Sequence, residues 1–310
     1  MSLQSDLKAD LILLLVAVIW GMAFIFQTTG MEHLGPVTFV FMRFVIAAIS
    51  ILPLWYFMEK PKREDVLRVT PLDKQALLIG IIMALGMLLQ QAGLLFTTVG
   101  RAGFLTGVYI VFVPLLGLLF GNRTAWPTWA GILLALCGMY FLAQIETDEF
   151  LVGDALILAS SVVWALHVIY TGRIANKISV FRLMFIQFSV SAAISWLAML
   201  IFETWDWQAV KAATTDLLFV GVLSSGVAFT LQVVAMRTAP ASHAALILSL
   251  EAVVAAIGGW WLLNQYLTEP ELIGCALILA GGLVAQFKLF MQGKSIEQAE
   301  LTAAETQSPS

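Results

Sequence analysis

Ten stretches of the chain are almost continuously apolar, and short polar breaks separate them. They run over about 10–28, 36–57, 76–98, 101–120, 127–145, 153–174, 180–203, 215–236, 241–263 and 271–290. Each is near the roughly 20 residues that an α-helix needs to cross a 30 Å hydrocarbon layer at about 1.5 Å per residue. Strands of a membrane barrel would alternate polar and apolar over about ten residues, which these runs do not. The pattern therefore predicts ten membrane-spanning helices. The one long polar connection, 58–75, carries Glu59, Lys60, Lys62, Arg63, Glu64 and Asp65, and the polar tail 291–310 is expected to be disordered. The first apolar run follows Lys8 as a signal peptide would, but it is long for one and no A-x-A site follows, so it reads as a retained helix.

Charge orients the spans. Lysines and arginines flank membrane helices mainly on the cytoplasmic side. Thirteen of the 16 lie on the side of the N-terminus, Arg101 and Lys211 lie on the other, and Arg43 falls inside the second span. Both termini are thus expected in the cytoplasm, in a multi-pass protein of the inner membrane.

Composition narrows the function. Of 310 residues, 60% are hydrophobic and 12% charged, against about a quarter charged in a soluble domain. The formal charge of −4 comes with no basic patch, so no nucleic-acid partner is expected. Cys137 and Cys275 each sit inside an apolar run as small buried hydrophobes rather than a disulfide pair. Three scattered histidines suggest no metal site, and no cofactor is expected. Gly293-Lys294-Ser295 resembles the end of a phosphate-binding loop, but Lys288 stands where that loop needs glycine, which argues against an ATP-driven pump.

The chain also resembles itself. Trp20 and Trp164 are 144 residues apart, as are Arg43 and Gln187, each followed by phenylalanine (Phe44, Phe188). Pro127, Gly131 and Gly138 match Pro270, Gly274 and Gly281 at a spacing of 143, and Gly80 and Gln91 match Gly221 and Gln232 at 141. Five spans per half is an odd number, so the second half enters the membrane from the opposite side. Inverted repeats of this kind mark carriers that expose a central site to each side in turn. The expected architecture is an all-α integral membrane protein of ten transmembrane helices as two inverted five-helix repeats, 1–148 and 149–290, with the polar tail 291–310.

Several motifs resemble the EamA family of the drug/metabolite transporter superfamily. They are Trp20-Gly21, Arg43, Ala102…Pro114, Leu262-Leu263…Leu267-Thr268, and Ile273-Gly274…Leu277-Ile278-Leu279-Ala280-Gly281. The resemblance covers roughly 10–288. It implies ten helices, a central cavity between the repeats, and export of amino acids, related metabolites or toxic compounds. The chain departs from the family pattern in two places. Leu250-Glu251-Ala252-Val253 lacks a proline that would bend the ninth helix, and Asn264-Gln265 replaces the usual Gly-Glu.

Mid-membrane polar groups are the candidates for chemistry, because an ionisable group there costs about 2.5–3.5 kcal/mol on insertion scales. Glu251 lies about ten residues into its span and suits a proton-coupling group or a cation ligand, or a packing carboxyl bonded to a neighbouring helix. Arg43 can grip a carboxylate with its planar fork or serve structure alone. His167 suits a cavity wall or a proton relay, or a hydrogen-bonded packing role. Gln90 and Gln91 are adjacent, so they point to different faces, and at least one must meet a partner. Trp20, Trp164, Tyr109 and Phe24 can wall an aromatic cavity, whereas Trp126, Trp129, Trp205, Trp207, Trp260 and Trp261 suit the interfacial belt. Gly103/Gly107 and Gly117/Gly121 give the small-xxx-small spacing of close helix packing. The reading is a secondary carrier of small organic metabolites, with protons as candidate coupling ions, able to work as a monomer in the bilayer. A membrane enzyme acting on a lipid or lipid-linked substrate is the alternative, although neither H-E-x-x-H nor G-x-S-x-G occurs.

Overall fold

The computed structural model describes residues 3–60, 69–97, 99–121, 124–143, 152–262, 268–270 and 272–284. Among them all regular structure is helical, and eight helices are long and apolar enough to cross a membrane. These are α1 (Leu3–Gly30), α2 (Pro36–Glu59), α3 (Pro71–Phe96) and α4 (Val99–Leu119), then α6 (Val152–Ile174), α7 (Val180–Phe202), α8 (Thr214–Ala235) and α9 (Ala241–Leu262). Two more apolar helices are shorter, α5 (Trp126–Ala143) and α10 (Leu272–Val284), and Trp207–Ala212 forms a small surface helix. The expected tail, residues 61–68 of the charged connection and Asn264-Gln265 lie outside the described residues.

Local chemistry sets the helix ends. Proline at the first position of α2 and α3 lacks the N–H that a helix start leaves unpaired. Thr70 and Asp73 cap α3 reciprocally, and the Ser179 hydroxyl accepts from the Arg182 N–H to cap α7. Gly121 closes α4 at φ +79° with open space around it, so it is a turn glycine rather than half of a packing pair.

Many inter-helix contacts come in reciprocal sets. A Cβ built on Gly80 of α3 would lie 2.9 Å from Val190 Cβ and 3.1 Å from Gln187 Cα of α7. One built on Gly221 of α8 would lie 2.7 Å from Ile46 Cβ and 3.2 Å from the Arg43 carbonyl of α2. Gly138 of α5 faces the Gly274 carbonyl of α10, and Gly281 of α10 faces the Gly131 carbonyl of α5, each with only 2.5 Å to spare for a Cβ. Helices approach this closely only through small residues. Glu203, at the end of α7, accepts hydrogen bonds from the Val37 and Thr38 amides at the start of α2, and Glu59, at the end of α2, accepts from the Ser179 hydroxyl at the start of α7. Between these ends Phe44 stacks on Phe188, its match 144 residues on, with ring centroids 6.1 Å apart.

Two of the long helices are broken. Val108 interrupts α4 between Val99–Gly107 and Tyr109–Leu119, and Ser249 and Leu250 interrupt α9 between Ala241–Leu248 and Glu251–Leu262. The break in α9 forms without a proline. In α8 the stretch Phe219–Phe229 winds as a π-helix, a rare form found mostly at functional sites.

Candidate functional site

The polar groups inside this bundle converge on one cavity. Its wall takes residues from α1, α2, α3, α4, α6, α8 and α9, and its free space is about 50 Å³. A single water needs roughly 10–15 Å³, so this is room for a few waters rather than for an organic solute. Trp20, Arg43, Gln90, Tyr109, Trp164 and Glu251 all line it, together with Phe24. Gln91 and His167 are not among the lining residues. Gln91 turns its amide toward the Gln27 carbonyl at 3.5 Å, and His167 lies against the outer faces of Trp164 and Phe229, with Nε2 2.8 Å from Gln187 Oε1. The amide oxygen only accepts, so Nε2 carries the hydrogen.

Arg43 is the cation on the cavity wall. It is 2% exposed, and no carboxylate pairs with it among the described residues. Neutral groups solvate it instead. Nε donates to Ser225 Oγ at 2.7 Å, one Nη donates to Gln27 Oε1 at 2.9 Å, and the other donates to Ser224 Oγ at 2.8 Å. The remaining contact is the weak acceptor sulfur of Met87 at 3.2 Å. The π-helix explains how Ser224 and Ser225, neighbours in sequence, both reach the guanidinium: its wider winding lets adjacent side chains share a face.

Among the described residues Glu251 is the only carboxylate on the cavity wall, and it is 4% exposed. Its side chain makes no hydrogen bond to the described residues. It opens the second half of the broken α9, where the partial positive charge of a helix N-terminus favours an anion. Tyr109 holds the corresponding place in α4, as the first residue after the break. The hydroxyl of Tyr109, the indole N–H of Trp164 and Oε1 of Gln232 are buried with no partner among the described residues, although all three residues line the cavity. Trp20 differs from Trp164, since its Nε1 donates to the Ser224 carbonyl at 3.0 Å. Phe229 lies between the two tryptophans, with centroids 4.7 Å from Trp20 and 5.8 Å from Trp164.

Sequence reasoning missed Gln27, Met87, Thr106, Ser224, Phe229 and Gln232 as wall residues. The signals were present but slight: an amide and a pair of hydroxyls inside otherwise apolar spans. The wall is apolar and aromatic in area, with one fixed cation, one carboxyl and a few open hydrogen-bonding groups. That arrangement binds and orients a small amphipathic solute.

A profile of the EamA-like transporter family matches residues 7–144 and again residues 151–285. The chain is 30% identical over 295 residues to an uncharacterized transporter of Archaeoglobus fulgidus, covering 91% of this chain and 87% of that one. It is 25% identical over 184 residues to the threonine/homoserine exporter RhtA of Escherichia coli K12, covering 55% of this chain and 58% of that protein. A probable amino-acid metabolite efflux pump of the same strain is 28% identical over 180 residues, covering 55% and 54%. One crystal structure superposes with a TM-score of 0.73 over 92% of this chain and 98% of its own at 18% identity, a likeness of fold.

Proposed function

We propose, from the premise that the chain belongs to the EamA-like transporter family, that it is a secondary carrier of amino acids or related amphipathic metabolites, working by alternating access in the export direction. The observation that carries this reading is the narrow cavity at the breaks of α4 and α9, with Arg43 unpaired by any acid and Glu251 unbonded. Broken helices around a mid-membrane site are a recurrent design of secondary carriers. In the full reading ten helices form two inverted repeats, both termini lie in the cytoplasm, and the inner membrane is the location. The reciprocal glycine, carboxylate and phenylalanine contacts support the inverted repeats, as do the two separate family matches, and the lysine and arginine asymmetry supports the orientation.

Arg43 takes the solute's anionic end, exchanging the Met87 sulfur for a stronger acceptor, while Glu251 and Tyr109 take its cationic end. Trp20, Trp164, Phe229 and Gln90 hold the remainder. Glu251 is also the proposed proton-coupling group, with His167 and Gln91 acting from behind the wall. Export follows the names of the two relatives from Escherichia coli.

Uptake into liposomes tests this. Purified protein and a panel of labelled amino acids, with and without a pH gradient, should give saturable uptake of one class, competed by unlabelled compound. Glu251→Gln should then lose the response to the gradient while retaining solute exchange. An unchanged response would remove proton coupling from Glu251, and no uptake of any member by folded protein would count against the amino-acid class.

A further inference from the structure

Two ion pairs sit at equivalent places on opposite sides of the cavity. His243 Nε2 lies 2.8 Å from Asp10 Oδ1 and joins the start of α9 to the start of α1. Arg101 pairs with Asp154 at 2.5 Å and joins the start of α4 to the start of α6, and Asp154 also accepts from the Thr97 hydroxyl at 3.0 Å. The geometry repeats closely. From Asp10 to the cavity residue Trp20 is ten residues of helix, and so is Asp154 to Trp164. From His243 to Glu251 is eight, and so is Arg101 to Tyr109. At about 1.5 Å per residue each pair stands roughly 12–15 Å along its helices from the cavity, toward opposite faces.

In both pairs the latched segment is the short first half of a broken helix. Ala241–Leu248 carries His243 and stops at Ser249, and Val99–Gly107 carries Arg101 and stops at Val108. At each interruption the winding tightens, with the Val111 N–H bonding the Val108 carbonyl and the Leu250 and Ala252 N–H groups bonding the Ile247 and Ser249 carbonyls, and a tightened turn inside a helix often marks a hinge, so each half-helix can pivot there while Glu251–Leu262 or Tyr109–Leu119 keeps its place. Both pairs are engaged together here, with about 50 Å³ of free space in the cavity between them.

We propose that Ala241–Leu248 and Val99–Gly107 are the two gates of the cavity, and that Asp10–His243 and Asp154–Arg101 are positioning pairs that latch them. Release of one pair opens the cavity to that pair's face while the other pair holds. This rests on the alternating-access reading above and adds which segments move.

The test is labelling of one cysteine on the cavity wall, Ala23→Cys, in full-length protein in vesicles with Cys137 and Cys275 replaced. A membrane-impermeant maleimide is applied from each face in turn. Asp10→Asn should raise labelling from the N-terminal face about fivefold, as loss of a partly buried ion pair allows, and leave the other face unchanged or slower. Asp154→Asn should do the reverse. The exchange Asp10→His with His243→Asp should restore the parent rate, which simple misfolding would not allow. A parent labelled from both faces, with both asparagine variants shifting the same face or neither, would overturn the latches. A parent labelled from one face only, in every variant, would instead overturn the alternating-access reading on which they rest.

Discussion

The seam between α5 and α10 offers the sharpest test of the fold. A Cβ on Gly138 would sit 2.5 Å from the Gly274 carbonyl and 2.8 Å from the Ile278 nitrogen, and one on Gly281 would sit 2.5 Å from the Gly131 carbonyl and 3.0 Å from the Ala135 nitrogen. All four obstacles are backbone, so no side chain can turn aside. Ordinary contact begins near 3.5 Å, so alanine at either position must widen the seam by about 1 Å, which forfeits a quarter to a half of each dispersion contact along it. Such overpacking costs about 1–3 kcal/mol. The better helix propensity of alanine returns up to about 1 kcal/mol, leaving a net loss of about 1–2 kcal/mol for Gly138→Ala and for Gly281→Ala alike. Gly282, one residue on, faces open space, so Gly282→Ala keeps only the propensity gain. Thermal unfolding of purified protein in detergent should place the first two variants a few degrees below the parent and Gly282→Ala at or above it. Equal damage from Gly281→Ala and Gly282→Ala, or none from Gly138→Ala, would refute this close approach of the two helices.

Other changes separate roles within the site. Arg43→Lys keeps the charge but cannot reach Ser225, Ser224 and Gln27 at once, so it should lower stability by about 1–2 kcal/mol and weaken solute affinity tenfold or more, read by melting and by competition in the uptake assay. Trp20→Phe loses a hydrogen bond to the Ser224 carbonyl and should cost about 1 kcal/mol, whereas Trp164→Phe removes an N–H that has no partner among the described residues and should cost less in stability than in transport. Glu203→Gln leaves one of the Val37 and Thr38 amides without its carboxylate oxygen, and should destabilise the protein by about 1 kcal/mol in the same melting assay.

The long apolar runs were legible because a membrane helix has to be apolar over a fixed length, and that requirement is written residue by residue. The glycines Gly131, Gly138, Gly274 and Gly281 stood out by their common spacing of 143, and in the structure Gly138 faces the Gly274 carbonyl and Gly281 the Gly131 carbonyl across the α5–α10 seam. The breaks at Val108 and at Ser249–Leu250 were not visible, because neither position is a proline and the apolar run continues on both sides of each. The π-helix was hidden too, since Phe219–Phe229 carries no proline and reads as an ordinary apolar span. Arg43 and Glu251 stood out by the cost of burying charge, but their neighbours Gln27 and Gln232 are neutral and long, and such residues gain meaning only once their partners are known. Asp10 and His243 are 233 residues apart and read as unrelated end-of-span polar residues until the fold joins them.

The central claim is that one cavity carries one solute to each side in turn, and counterflow measures that directly. Vesicles containing the protein are loaded with an unlabelled amino acid that competes in the uptake panel, and a trace of labelled compound is added outside. The account predicts that label accumulates transiently above its equilibrium level in loaded vesicles and not in empty ones, because each outward passage returns the site ready for an inward one. Label that only equilibrates, with no overshoot from folded protein, would contradict the carrier, and label recovered chemically altered would point to a membrane enzyme instead.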